Sequence, residues 1–228
     1  MCRGKSFCSE LGDVEMWSDL APLPPPEWIR SELPMLAAAF AHAASGDIAQ
    51  AIAAVESLSN ERMRDWCVEH GQGAGGMRLR TLGSPPPPCG MPSTGPRNPD
   101  SALATTVLER DRYQCRYCGL PVIPRPLFVA LGAVVGNERF PTGKRNAERH
   151  GARLAFGAQV DHVVPYSLGG RTELDNLVTS CWTCNFGKAS YHIAQIGVSD
   201  PRLRPPSGRQ WDGLTSMYRA LRGARRAT

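Results

Sequence analysis

Two Cys-x-x-C pairs, far apart along the chain, constrain its fold more than any other feature. Cys115 and Cys118 form the first pair, Cys181 and Cys184 form the second, and 62 residues lie between the pairs. Four thiolates are the soft, tetrahedral ligand set that structural zinc prefers. A simple zinc ribbon separates its pairs by roughly 15–20 residues, so one Zn²⁺ is expected to hold two distant segments around an intervening structure. Four Cys ligands leave no position for water, which predicts a structural role.

The alternative for either pair is a redox-active or merely buried set of thiols. The first residues lack the apolar core of a signal peptide, and the longest apolar run, MLAAAFAHAA, is far short of a membrane span. We therefore expect a soluble, cytoplasmic protein without a membrane partner. In a reducing compartment, two pairs of equal spacing favour metal over disulfides. The other cysteines show no such pairing and are expected to be ordinary thiols: Cys2, Cys8, Cys67 and Cys89.

Composition divides the chain into four predicted parts. Residues 1–70 contain three helical stretches from Glu27 onward, one of them capped by Asp47, and predict a small all-α region of unknown role. Residues 71–99 are rich in Gly, Pro and Ser and are typical of a linker. Residues 100–197 form the second predicted domain, and residues 198–228 a basic tail that is expected to end in a helix.

Charge is distributed unevenly between the two halves. Residues 1–100 carry a net charge of −4 and residues 101–228 carry +9, which gives the net +5 of the chain. A basic surface is the common electrostatic footprint of a polyanion-binding protein. The second half is therefore the part that we expect to meet nucleic acid.

A short segment between the cysteine pairs concentrates polar side chains. It reads VDHVVPYSLGGRTELDNLVTSCWTCN, from Val160 to Asn185, with Asp161-His162, the Gly169-Gly170 pair and Asn176-Leu177 in order, and Asn185 directly after Cys184. This order, with a zinc knuckle on each side, resembles the HNH endonucleases, in the subgroup that carries two zinc knuckles. The resemblance covers about residues 107–190 and rests on several spaced motifs together.

The resemblance implies an α+β fold with a ββα-metal core, stapled by the four-cysteine zinc site and preceded by the all-α region. The first strand would end at Asp161-His162, the second would lie near Leu177-Val178, and a helix would begin around residues 181–185. Local sequence agrees, because AQVDHVVP is rich in β-branched residues and LGG supplies a turn. After Asn185 we expect helix to continue through GKASYHIAQIG.

The implied activity is metal-dependent hydrolysis of phosphodiester bonds in DNA. His162 is the one side chain of the segment whose ordinary pKa lies near 6.5, which suits a base that activates water. Asp161 offers a hard anionic oxygen and Asn185 an amide oxygen, a pair suited to one Mg²⁺ or Mn²⁺. Many members of the family have His at the third motif position, so Asn185 makes this an H-N-N variant. The implied products carry 5′-phosphate and 3′-hydroxyl ends.

Three further residues complete the predicted site. Asn176 matches the middle motif position, where the family uses the side chain to orient the loop and the base. Lys188 and Arg171 are candidate contacts to DNA phosphates. For each of these residues the structural alternative is a turn residue or a solvated surface charge.

Two other functions compete with the nuclease. A zinc-stabilised nucleic-acid-binding module without catalysis needs the same cysteines and charge, but has no use for Asp161, His162 and Asn185 together. A thiol oxidoreductase lacks a thioredoxin-like strand and helix pattern around either cysteine pair. The acidic balance of the N-terminal helices also raises the hypothesis that they bind another protein or a particular form of DNA.

Overall fold

The computed structural model describes residues 7–71, 73–83, 85, 90–91, 93–206 and 210–224. Cys2, Cys89 and the last four residues of the basic tail lie outside these ranges. The described chain is an α+β fold that is mostly helical in its first part, which confirms the predicted fold class. Within the described ranges, no helix combines the length and the apolar character needed to cross a membrane.

The first part of the fold is a layer of short helices that follows a small antiparallel hairpin, β1 (Phe7–Cys8) and β2 (Gly12–Asp13). The helices are α1 (Glu27–Arg30), α2 (Leu33–Ser45), α3 (Ile48–Glu56) and α4 (Asn60–His70). Asp47 caps α3 as predicted, because its carboxylate accepts a hydrogen bond from the backbone N–H of Gln50 at 3.2 Å. The predicted first helix begins at Glu27, but it is interrupted between α1 and α2.

The segment predicted as a linker contains a helix, α5 (Ala74–Leu82), and that part of the prediction is wrong. Arg78 of α5 is 2% exposed and donates to the carbonyls of Ser18 at 2.5 Å, Ala21 at 3.0 Å and Ile196 at 3.2 Å. The Gly, Pro and Ser content of the segment pointed away from helix. The contacts of the Arg78 guanidinium with distant backbone carbonyls, which hold α5 in place, cannot be read from the sequence. The division of the chain into domains stays a prediction, although one apolar core includes residues from before and after α5.

The second part of the fold surrounds a two-stranded antiparallel sheet. Its helices are α6 (Ser101–Arg110), α7 (Arg125–Val135), α8 (Gly151–Phe156), α9 (Trp182–Lys188) and α10 (Tyr218–Ala224), and its strands are β3 (Ala158–His162) and β4 (Leu177–Cys181). Asp100 caps α6, because its carboxylate accepts a hydrogen bond from the Leu103 N–H at 2.8 Å. In the sheet register, Ala158 lies opposite Cys181 and His162 opposite Leu177. The order β3, β4, α9 is the predicted ββα core.

One predicted helix is wrong in its extent. The helix after Asn185 does not run on to Gly197, because α9 ends at Lys188 and Ala189 adopts a φ of 50° in the left-handed region. A single turn of 3-10 helix, Ile193–Ile196, follows. Near its end α9 packs closely against α5, since a Cβ atom on Gly75 would lie only 2.5 Å from the Gly187 carbonyl oxygen. The chain turns away after this contact, and local sequence does not encode that turn.

Candidate functional site

The four predicted zinc ligands meet in one cluster. The Sγ atoms of Cys115, Cys118, Cys181 and Cys184 all lie within 4.8 Å of one another, and Cys118 Sγ lies 3.7 Å from Cys181 Sγ. A tetrahedral zinc with Zn–S bonds of about 2.3 Å requires sulfur atoms about 3.8 Å apart. The cluster therefore fits a metal site with four cysteine ligands. It is the one group of three or more such ligands that the described residues form.

Three parts of the chain hold this cysteine quartet in place. The first knuckle closes through the N–H of Gly119, which donates to the Cys115 carbonyl at 2.8 Å, and Gly119 has a φ of 72° that favours glycine. The second knuckle joins the end of β4 to the first turn of α9. The N-terminal part contributes Arg30, which donates to the Cys118 carbonyl at 2.9 Å, and the Leu23 carbonyl, which lies 3.2 Å from Cys184 Sγ. The quartet thus fastens the helical layer to the ββα core.

Asp161, at the end of β3, is buried and already engaged by two side chains. The Tyr117 hydroxyl donates to Oδ2 at 2.7 Å, and Lys188 Nζ lies 3.3 Å from Oδ2 and 3.4 Å from Oδ1. Burial raises the pKa of Asp161, while Lys188 and Tyr117 act in the opposite direction. Tyr117 lies between the two cysteines of the first knuckle, so the zinc site and Asp161 share a support. Sequence analysis missed Tyr117, whose only signal was its position inside CRYC.

The structure does not place Lys188 where a DNA phosphate would reach it. Its side chain is 1% exposed and faces Asp161, so it pairs with a carboxylate in the interior. Arg171, the other predicted phosphate contact, has a side chain that is 76% exposed and pairs with Glu173 at 2.8 Å. Such an exposed pair contributes little and is readily exchanged for another anion, so a phosphate contact by Arg171 stays a prediction.

His162 is oriented by a chain of two hydrogen bonds. Its Nε2 lies 2.9 Å from the Thr172 hydroxyl oxygen, and that hydroxyl lies 2.6 Å from the Pro96 carbonyl oxygen. A carbonyl only accepts, so the Thr172 proton points at Pro96 and the hydroxyl oxygen accepts from Nε2–H. The unprotonated nitrogen of a neutral His162 is therefore Nδ1. Burial lowers the pKa of His162, with Lys188 and then Arg97 acting in the same direction, which keeps the ring neutral near pH 7.

Asn176 holds the loop that follows His162. Its Oδ1 accepts from the Val164 N–H at 2.9 Å, and its Nδ2 donates to the carbonyls of Val164 at 3.0 Å and Arg171 at 2.9 Å. The side chain thus closes both ends of the turn through the glycine pair. This geometry suits the supporting role predicted for Asn176, because each of these hydrogen bonds of its side chain goes to a backbone group of the loop.

Asn185 is half-buried on α9. It lies three residues before Lys188, and residues three apart are neighbours on one face of a helix. Because Lys188 contacts Asp161, this face of α9 is directed toward the end of β3. No hydrogen bond of the Asn185 side-chain amide is present among the described residues, so its oxygen is available for a ligand.

The comparison with known families agrees with this geometry. Residues 151–190 match the model of the HNH endonuclease family. The match includes both strands, α9 and each of the four predicted catalytic residues. Searches among curated proteins and solved structures gave no significant match. The similarity to the HNH endonuclease family thus covers the segment from α8 to the end of α9, with its ββα core.

Proposed function

We propose that the chain is a metal-dependent endonuclease that hydrolyses phosphodiester bonds in DNA. The observation that carries the proposal is His162, which stands at the end of β3 within the matched segment and keeps Nδ1 unprotonated through Thr172 and Pro96. A neutral imidazole nitrogen with a fixed tautomer suits a general base. In this role Nδ1 of His162 takes the proton of the attacking water, and the products carry 5′-phosphate and 3′-hydroxyl ends.

Asp161 and Asn185 are the residues that would hold one Mg²⁺ or Mn²⁺. Their oxygen donors are of the type that these cations prefer, and a carboxylate offers about four acceptor positions, of which Tyr117 and Lys188 leave part unused. When bound, the cation supplies positive charge that stabilises the phosphate and the leaving oxygen in the transition state. Lys188 shares the carboxylate with that cation, and its charge opposes binding.

The other residues support this chemistry without touching the reacting atoms. Asn176 fixes the loop beside His162, and Tyr117 holds Asp161. The cysteine quartet binds structural Zn²⁺, and Arg171 contacts a phosphate of the bound DNA. We also propose a cytoplasmic location, since four reduced cysteines require a reducing compartment, and an additional protein partner for the N-terminal helices.

The second candidate, a zinc-stabilised DNA-binding module without catalysis, is favoured by one observation. Asp161 is already neutralised by Lys188 at 3.3 Å, an arrangement that needs no divalent cation. In that case the matched segment would retain the fold of a nuclease but not its reaction.

Cleavage of supercoiled plasmid with added Mg²⁺ or Mn²⁺ tests the two functions. Wild type should cut, and His162→Ala should lose about 10²–10⁴-fold in rate, the usual contribution of a general base, while both proteins hold one zinc. His42→Ala, which changes a histidine of α2 outside the site, should cut like wild type. Zinc-loaded wild type that binds DNA without cutting it under either cation would establish the binding module instead.

A further inference from the structure

A cavity beside the first residues of β3 is lined by three arginines that the proposed reaction does not use. Its volume is about 410 Å³, and Arg125, Arg149 and Arg153 line it together with Thr142, Gln159 and Trp182. Arg125 begins α7, Arg153 lies in α8, and Arg149 precedes α8 in the basic stretch GKRNAERHGAR. Three positive charges thus share one small space.

None of these arginines forms an ion pair within the described part of the chain. The nearby carboxylate of Glu148 is taken up by Arg145, through its backbone N–H at 3.2 Å and its Nε, and by the Lys144 N–H at 3.2 Å. Burial lowers the pKa of Arg153 to about 10, and the charges of Arg125 and Arg149 act in the same direction. The cavity therefore carries positive charge that the described residues do not neutralise.

Two of the three guanidinium groups, those of Arg149 and Arg153, are also held in position. Arg149 donates to the carbonyls of Gly143 at 3.2 Å and Lys144 at 3.3 Å and to Asn146 Oδ1 at 3.0 Å. Arg153 lies over the rings of Phe128 and Phe140, and its Nε and Nη2 are buried without a hydrogen-bond partner in the described chain. Buried donors without an acceptor are rare and unfavourable in folded proteins. Arg149 and Arg153 are half-buried and Arg125 is exposed beside them, and a cluster of guanidinium groups is suited to a phosphate group, whose oxygens match the planar fork of arginine.

We infer that this arginine cavity binds a backbone phosphate of the DNA substrate, away from the bond that is cut. The inference rests on the proposed function for the identity of the substrate. Gly157 and the first two residues of β3, Ala158 and Gln159, form part of the cavity wall, and His162 ends the same strand. At about 3.3 Å per residue, the two ends of β3 lie about 13 Å apart. A duplex whose scissile phosphate lies at His162 carries further backbone phosphates at this distance, because each of its strands has one phosphate per roughly 3.4 Å of the axis.

DNA binding without cleavage tests this inference. The background is full-length His162→Ala with zinc bound and no added divalent cation, titrated with a fluorescent duplex over a series of NaCl concentrations. The cavity variant R125Q/R153Q should bind at least tenfold more weakly than the control R62Q/R112Q, which removes the same charge from arginines outside the cavity. The slope of log K against log salt should fall by about 0.9, the value for one lost phosphate contact. Equal affinities and slopes in the two double variants would overturn the inference.

Two further measurements keep the result unambiguous. If R125Q/R153Q fails to retain zinc, R125E takes its place, because Arg125 is exposed at the start of α7; R62E is its control and the same tenfold difference is expected. If inorganic phosphate raises the Tm of wild type but not of the cavity variant, while both double variants bind DNA equally, the ligand is free phosphate and the DNA assignment is overturned. Failure of the proposed function would instead show in wild type, as absent cleavage, and would leave this comparison of variants intact.

Discussion

The two ends of one strand pair carry two very different groups of side chains. At one end of the β3–β4 hairpin, Cys181 contributes to four clustered thiols whose spacing matches tetrahedral zinc. At the other end, Asp161 is paired with Lys188 before any cation arrives. A metal at the first site has no competitor among the described side chains, whereas a metal at the second must share its carboxylate with an ammonium group. Under the proposed function, the same small scaffold would thus separate a metal that maintains the fold from a second metal that takes part in the reaction.

Loss of the cysteine quartet should have the largest effect. Structural zinc in small domains contributes about 10–16 kcal/mol in apparent binding free energy, more than the whole stability of most domains. We expect Cys181→Ser to lose zinc and the cooperative thermal transition. Metal analysis measures the zinc content, and near-ultraviolet circular dichroism measures the transition. Cys67→Ser, which changes a buried thiol outside the quartet, should keep one zinc. A Cys181→Ser protein that still binds zinc and unfolds cooperatively would contradict the first half of the comparison.

The contact between the first knuckle and β4 should give the next largest effect. Asp111 is fully buried and accepts hydrogen bonds from Arg116 of the first knuckle at 2.7 Å and from the Thr179 N–H of β4 at 2.6 Å. Removing one partner of a buried ion pair leaves the other uncompensated, so Asp111→Ala should cost about 3 kcal/mol in urea unfolding. Asp65→Ala, which removes an exposed pair with Arg64, should cost less than about 1 kcal/mol. Equal costs would show that Asp111 does not hold the first knuckle against β4.

Removing the competing ammonium tests the second half of the comparison directly. Lys188→Met should raise the affinity of the proposed cation site for Mn²⁺ by at least about tenfold at pH 8. The substitution removes a positive charge beside Asp161 that repels the cation. Lys188→Arg keeps the charge and should bind Mn²⁺ as weakly as wild type. Isothermal titration of the zinc-loaded proteins measures both. Unchanged or weaker binding by Lys188→Met would mean that Lys188 supports the cation instead of competing with it.

The smallest expected effect concerns the base. Without the Thr172 hydroxyl, His162 loses the acceptor that holds the proton on Nε2, so Thr172→Val should show a mixture of tautomers in the ¹⁵N spectrum of the imidazole. Cleavage should slow on the order of tenfold, less than the loss from removing the base. Thr172→Ser retains the hydroxyl and should keep both the tautomer and the rate. A wild-type spectrum with the proton on Nδ1 would refute the assignment.

Sequence predicted the parts of the site that repeat in a recognisable spacing. The clustering of the cysteine quartet, the strand that ends at His162 and the short strand before Cys181 are confirmed, because metal-ligand spacing and β-branched content are local signals. The roles of the catalytic residues stay predictions. The ordered motif from Val160 to Asn185 was also recognisable because it lies in one continuous stretch of sequence.

The contacts that sequence did not predict all join distant segments. Lys188 pairs with Asp161 across 27 positions, and Thr172 reaches the Pro96 carbonyl across 76. Nothing in the composition of residues 71–99 shows that Arg78 finds three carbonyl acceptors, two of them before residue 22. Such contacts depend on how elements pack, and a local pattern of residue types carries no information about that packing.

The attachment of the N-terminal helices to the cysteine quartet should affect how fast the protein is degraded in the cell. Arg30 donates to the Cys118 carbonyl, and the Leu23 carbonyl meets Cys184 Sγ. Helices that contact a metal site become less stable when the metal dissociates. Proteases degrade the unfolded chains that result. We therefore expect a shortage of zinc to lower the amount of the whole chain in the cell through faster degradation. Under the proposed function, a shortage of Mg²⁺ or Mn²⁺ would instead leave the protein present but inactive.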